Sequence, residues 1–218
     1  MPRTARASVG GMIYHALNRG NRRETVFRKS ADYDAFVEAM SDARKRLPVD
    51  IVAYCLMPNH FHLVLRPQGD GELGRWIQWL LTAHAQRYHR HYHTTGHVWQ
   101  GRFKAFPVQD DDHLATVVRY VERNPLRAEL VDRAEHWKWS SLAGWLRGDP
   151  LVSRGFPHLR GRDWLSRIHK PLSAADLDRL RRSVSRGTPF GADAWTRRTV
   201  ARLGLESTVR PRGRPRKA

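Results

Sequence analysis

Two apolar runs lie almost end to end in the middle of the chain. Val49-Asp50-Ile51-Val52-Ala53-Tyr54-Cys55-Leu56-Met57 is followed, after only Pro58-Asn59, by His60-Phe61-His62-Leu63-Val64-Leu65. Short, Val- and Ile-rich runs divided by a Pro-Asn pair predict two strands joined by a hairpin turn. Side chains on a strand alternate between faces, so His60 and His62 share one face with Val64. Phe61, Leu63 and Leu65 then line the other. Two imidazoles aimed from one strand face are half of a metal site. The competing reading is a pair of histidines on a solvated sheet face.

The flanking segments supply further elements. Met12-Ile13-Tyr14-His15-Ala16-Leu17 predicts a first strand, closed by the turn Asn18-Arg19-Gly20-Asn21-Arg22-Arg23. Arg19, Arg22 and Arg23 are there positioned either to meet phosphates or to form a solvated basic loop. Tyr33, Phe36, Val37, Met40 and Leu47 follow Ser30 at helical spacing. Leu73, Trp76, Ile77, Leu80, Leu81, His84 and Tyr88 form a second helical stripe. That helix ends in the His-dense segment 86–93, read as basic, aromatic surface rather than as a metal site. Residues 99–108 predict another strand, with Arg102 and Lys104 on a common face where a nucleic-acid backbone fits.

A further helix opens at Asp110-Asp111-Asp112, where negative charge complements the helix dipole. Leu114, Val117, Val118 and Val121 make its buried stripe, with Tyr120 at the border. Asn124 lies four residues on, above Tyr120. Pro125 is expected to end the helix and leave Asn124 at a frayed terminus. A bordering tyrosine by itself is ordinary amphipathic packing.

Charge supplies the context that periodicity lacks. Lys and Arg number 39 against 21 Asp and Glu in 218 residues, a formal net charge of +18. Such an excess marks a binder of polyanions, since association releases counterions. No apolar run approaches the span of about 20 residues that crosses a bilayer, and no signal peptide opens the sequence, so no membrane role is expected. The single cysteine, Cys55, sits in a strand pattern and reads as core packing in a reducing cytoplasm. Beyond Val131 the pattern changes to a Trp-rich segment, in which Trp137 and Trp139 pack, and to helical stretches near 160–169, 173–184 and 193–203. The terminal Arg210–Lys217 run contains Pro211-Arg212-Gly213-Arg214-Pro215, which is similar to an AT-hook core. Arg212 and Arg214 of such a segment enter a narrow minor groove; a generic basic tail is the simpler alternative.

Three blocks together carry a resemblance. Met57-Pro58-Asn59-His60-Phe61-His62-Leu63-Val64-Leu65, Trp99-Gln100-Gly101-Arg102-Phe103-Lys104 and Arg119-Tyr120-Val121-Glu122-Arg123-Asn124-Pro125-Leu126-Arg127-Ala128 occur in this order. Over residues 9–133 the chain resembles the single-tyrosine HUH transposases, in particular their REP-associated tyrosine transposase branch. The resemblance implies an α+β fold, ferredoxin-like, with a central antiparallel sheet and packed helices. With the change of pattern beyond Val131, it divides the chain into a catalytic domain (1–133), a helical C-terminal extension (134–205) and a basic disordered tail (206–218). It implies a divalent metal, Mg²⁺ or Mn²⁺, held by His60, His62 and Asn124, and Tyr120 as the nucleophile that forms a 5′-phosphotyrosine. The implied partner is single-stranded or hairpin DNA at repetitive palindromic sites, bound by a monomer or homodimer in the bacterial cytoplasm, associated with the nucleoid. Arg19, Arg22, Arg23, Arg102 and Lys104 are the candidates for the DNA backbone. His15, on the first strand, is a candidate for a supporting or DNA contact. Two other readings stay open: a non-catalytic DNA-binding or regulatory protein on the same scaffold, and a nuclease that uses water.

Overall fold

A computed structural model describes residues 8–156 and 159–210. Strand β1 (Ile13–Arg19) leads through a basic turn to helix α1 (Ser30–Arg46). The hairpin β2 (Val49–Met57) and β3 (His60–Pro67) follows, turning on Pro58-Asn59 as its spacing predicts. Helix α2 (Glu72–Tyr92) returns the chain to β4 (Lys104–Val108). The sheet order is β2-β3-β1-β4, antiparallel throughout. With its β-α-β-β-α-β chain order this is the ferredoxin-like arrangement.

Strand alternation sorts the core into two layers. Phe61, Leu63 and Leu65 join Tyr14 and Ala16 against α1 and α2, where Phe36, Met40, Trp76, Ile77 and Leu80 are fully or almost fully buried. Val64 faces the opposite way, with Ile13, Phe106 and Val108, against α3 (Asp112–Glu122). Asp111 caps α3, its carboxylate accepting from His113 N at 2.8 Å. A short α4 (Asn124–Arg127) follows at once.

The second layer does not end with α4. Helices α5 (Ser141–Leu146), α6 (Trp164–His169), α7 (Ala174–Arg186), α8 (Asp193–Leu203) and α9 (Glu206–Val209) follow. The tail expected to be disordered from 206 is thus helical over its first turn, held where Arg186 Nε and Thr188 Oγ1 both donate to Thr208 O at 2.8 Å, and residues 211–218 lie outside the described residues. Leu142, Phe156, Leu159, Trp164, Ile168, Leu180 and Phe190 share one apolar cluster with Leu114, Val117, Val118 and Val121 of α3. The core therefore runs unbroken across residue 133. Trp137 and Trp139 pack as expected: Trp139 stacks on Tyr33 at 4.1 Å, and Trp137 Nε1 donates to Leu56 O.

The same C-terminal segments touch both outer strands. Leu56 N donates to Trp139 O and Ser153 N to Ile51 O along β2, while Phe190 N donates to Pro107 O beside β4. A register shift between Ile51 and Ala53 makes β2 bulge at Val52. Strand β4 is shorter than the 99–108 run predicts. Gly101 has φ of +58° and turns the chain before the ladder begins, leaving Trp99 with a lone bridge to Gly20.

Candidate active site

Register builds one crowded face of the sheet. Residues directly opposite in an antiparallel ladder project to the same side. Arg19 lies opposite His60, Leu17 opposite His62 and His15 opposite Val64, while on the other flank Lys104 pairs with Leu17 and Phe106 with His15. Helix α3 lies across this face and brings Tyr120 to the histidines. Ring centroids are 5.1 Å apart for His60 and His62, 5.6 Å for His62 and Tyr120, and 6.3 Å for His15 and Tyr120. All of these side chains come from one chain. Tyr120 is half-buried, so its ring is fixed while remaining reachable from solvent.

Hydrogen bonds set the ring protons. Asn59 Nδ2 donates to Arg23 O at 3.0 Å, which turns its Oδ1 toward His60 Nδ1 at 2.7 Å. His60 therefore carries its proton on Nδ1 and keeps a lone pair on Nε2. His62 Nδ1 lies 2.9 Å from His15 Nε2, and His15 Nδ1 is buried without a partner among the described residues. If His62 donates in this pair, its Nε2 is free to coordinate and His15 carries its own proton on the bare Nδ1. Burial, with Arg19 and Arg127 nearby, pushes His60 down to about 4. Burial, together with His15, His60 and the same arginines, pushes His62 well below the usual histidine range. Both rings are thus neutral near pH 7, the state a metal ligand requires.

Asn124 departs from the frayed terminus that Pro125 predicts. Arg123 stays in the helical region (φ −84°, ψ −7°), and Pro125 sits in the first turn of α4, where its missing N–H costs nothing. Asn124 is fully buried, its Oδ1 accepting from Arg127 Nη2 at 2.7 Å and its Nδ2 without a partner among the described residues. Arg127 also stands 5.9 Å from the Tyr120 ring centroid. This guanidinium thus links Asn124, the phenol and the two imidazoles. Among the described residues no group of three or more His, Cys, Asp and Glu is arranged to hold a metal. Two neutral imidazoles and one amide oxygen nevertheless suit a divalent ion that keeps its other positions for water or phosphate oxygens. The atom left without a partner is the Asn124 amide nitrogen, a donor, so what this side chain offers a cation is the second lone pair of Oδ1, beside the one that Arg127 takes.

Comparison with known proteins identifies the scaffold. Residues 8–124 match the family model described as Transposase IS200 like. The chain belongs to the IS200-like transposase family. It is 25% identical over 144 residues to a Haemophilus influenzae protein that bears the name REP-associated tyrosine transposase, covering 61% of this chain and 80% of that protein. A solved structure of a REP-associated tyrosine transposase bound to a REP hairpin matches with a TM-score of 0.59 at 20% identity. That match covers 80% of this chain and 96% of the other, and at this identity the likeness is one of fold.

Within this IS200-like transposase chain the expected DNA-contact residues separate. Arg19 and Lys104 are exposed on the face of the histidines. Arg22 and Arg23 are exposed in the turn that Asn59 ties to the site, both at positive φ (52° and 63°). Arg102 does not share the face of Lys104. It lies ahead of the strand and lines a cleft of about 940 Å³ with Leu81, Gln86 and His89 of α2. Arg212 and Arg214 lie outside the described residues. Neither periodicity nor spacing gives Arg127 a role, or Asn59 one beyond the hairpin turn, although each stands inside a block that carries the resemblance. The place of Arg127 one helical turn after Asn124 was the available signal.

Proposed function

We propose that this transposase cleaves and rejoins single-stranded DNA at hairpin-associated palindromic repeats, with Tyr120 as the nucleophile. The observation that carries the reading is Tyr120 standing 5.6 Å, ring to ring, from His62, which in turn stands 5.1 Å from His60, both imidazoles neutral near pH 7. In this reading the Tyr120 oxygen attacks the scissile phosphorus and gives up its phenol proton. The bond to the 3′-oxygen breaks, that oxygen takes up a proton, and the 5′-phosphate remains on Tyr120. Attack by another 3′-hydroxyl reverses the exchange and joins strands without an external energy source, since one phosphoester replaces another.

His60, His62 and Asn124 would hold a divalent ion, Mg²⁺ or Mn²⁺, with Mn²⁺ the better match to imidazole. When bound, such an ion polarises the phosphate and offsets charge that builds on its oxygens. Arg127 and Arg19 flank the same spot and draw the phosphate in. Arg22, Arg23 and Lys104 follow the backbone beyond it, with Arg102 reaching a separate stretch along α2. The Arg212 and Arg214 tail is assigned to a duplex minor groove near the hairpin. The hairpin assignment rests on the relative solved with a REP hairpin and on the net charge of +18. Residues 1–133 carry the nucleophile and the metal-binding side chains, and the cytoplasmic nucleoid is the setting.

The test uses labelled hairpin oligonucleotides copied from repeats flanking the gene, incubated with Mn²⁺ and run on a denaturing gel. A covalent protein–DNA band is expected from the natural chain. It is expected to vanish in Tyr120→Phe while hairpin binding persists. A band that survives in Tyr120→Phe removes the nucleophile assignment. Free cut product without a band indicates a nuclease that uses water, and binding without cutting indicates a regulatory protein; either overturns the proposal.

A further inference from the structure

Glu122 is a fully buried carboxylate on the helix that carries Tyr120. Its Oε1 accepts from Ser141 Oγ at 2.6 Å, from Arg160 Nη2 at 2.6 Å and from Arg160 Nε at 3.1 Å. Its Oε2 accepts from Trp164 Nε1 at 2.8 Å. All four donor atoms belong to residues beyond 133. Arg160, itself only 4% exposed in its side chain, also donates to Val52 O at 2.8 Å, the carbonyl at the β2 bulge. The bulge thus gives the arginine a fixed anchor on the sheet. One turn earlier on α3, Arg119 donates to Arg167 O and Lys170 O at the end of α6.

Two residues turn a helix by about 200°, so this clamp grips the side of α3 turned away from Tyr120. Apolar side chains would hold α3 to the extension equally well, and a buried ion pair is an inefficient source of stability. What four directional hydrogen bonds add is a fixed rotation and height of the helix. We infer that Glu122 is a positioning residue: the C-terminal segment, through Ser141, Arg160 and Trp164, sets where Tyr120 and Asn124 stand against the histidines. This rests on Tyr120 as the nucleophile, and it makes the extension a working part of the catalytic unit rather than an appended module.

The test uses the full chain with 3-fluorotyrosine at position 120 and the labelled hairpin with Mn²⁺. Glu122→Gln removes the charge that Arg160 pairs with and, with its oxygen kept toward Ser141 and Arg160, sets an amide donor against the indole N–H of Trp164. It is expected to slow adduct formation at saturating DNA by about tenfold to a hundredfold, with hairpin Kd changed by less than about twofold. The ¹⁹F resonance of position 120 is expected to shift or split. The paired substitution Glu122→Met with Arg160→Met, which exchanges the ion pair for apolar volume, keeps the fold if Glu122→Gln does not. It is expected to give the same slowing and the same spectral change. A folded double variant with the natural adduct rate and an unmoved resonance overturns the inference, as does a rate loss matched by an equal loss of hairpin binding. Should the natural chain form no adduct, the functional reading fails, and the resonance still decides whether Glu122 positions residue 120.

Discussion

His15 shows how much a single side chain owes to register. It is fully buried between His62, Phe106 and Tyr120, and its proton position is tied to that of His62. Alternation along β3 is readable from the sequence, so the shared face of His60 and His62 is too. The meeting of His15 with His62 needs the offset between β1 and β3, which no local pattern encodes. Asn124 departs from its expected place for a related reason: Pro125 signals a break, but Arg127 caps the amide and the chain re-forms a helical turn. Arg127 also bears on the histidines, since its positive charge helps to hold His60 down to about 4. Replacing it as Arg127→Gln removes a like charge, so protonation becomes easier and the His60 pKa rises, as an NMR titration would read. An unchanged value would remove Arg127 from the electrostatics of the site.

Helices and strands are the easier scale, yet their ends carry the function. Stripes near 73–88 and 114–121 and the hairpin at 58–59 lie where periodicity puts them. The strand predicted over 99–108 begins only at Lys104, because Gly101 occupies a left-handed turn, and this sends Arg102 toward α2. The helix predicted over 160–169 starts at Trp164, freeing Arg160 to reach Glu122. A lone glutamate in an amphipathic helix reads as a solvent-facing residue until its distant partners are known. Arg160→Ala leaves that carboxylate buried without its cation, and a loss of about 3–5 kcal/mol is expected by chemical denaturation. A loss below about 1 kcal/mol, the size of a surface pair, would mean water reaches Glu122.

Across the whole molecule, buried histidines couple stability to acidity. Burial lowers His15 to about 3, His60 and His84 to about 4, and His62 well below the ordinary 6.5. Between about pH 6.5 and about pH 4 the unfolded chain binds protons that the folded chain refuses, so stability rises with pH through that window and levels off above it. Each such histidine contributes a slope of at most about 1.4 kcal/mol per pH unit. Thermal melts are expected to give a flat Tm above neutrality and a steady fall toward about pH 5; a Tm constant over that range would show these rings to be hydrated. The +18 charge is legible at once as an expected affinity for a polyanion, whereas the seam between the ferredoxin-like sheet and the C-terminal helices is not, because one apolar cluster serves both. The hydrogen bond from Phe190 to Pro107 has a consequence for biogenesis. Until Phe190 has left the ribosome, the rim of β4 is bare, and neighbouring nascent chains can zip onto it. A version stopped before Gly187 should accordingly leave a sizing column with light scattering as a spread of self-associated species, while the longer chain elutes as one peak.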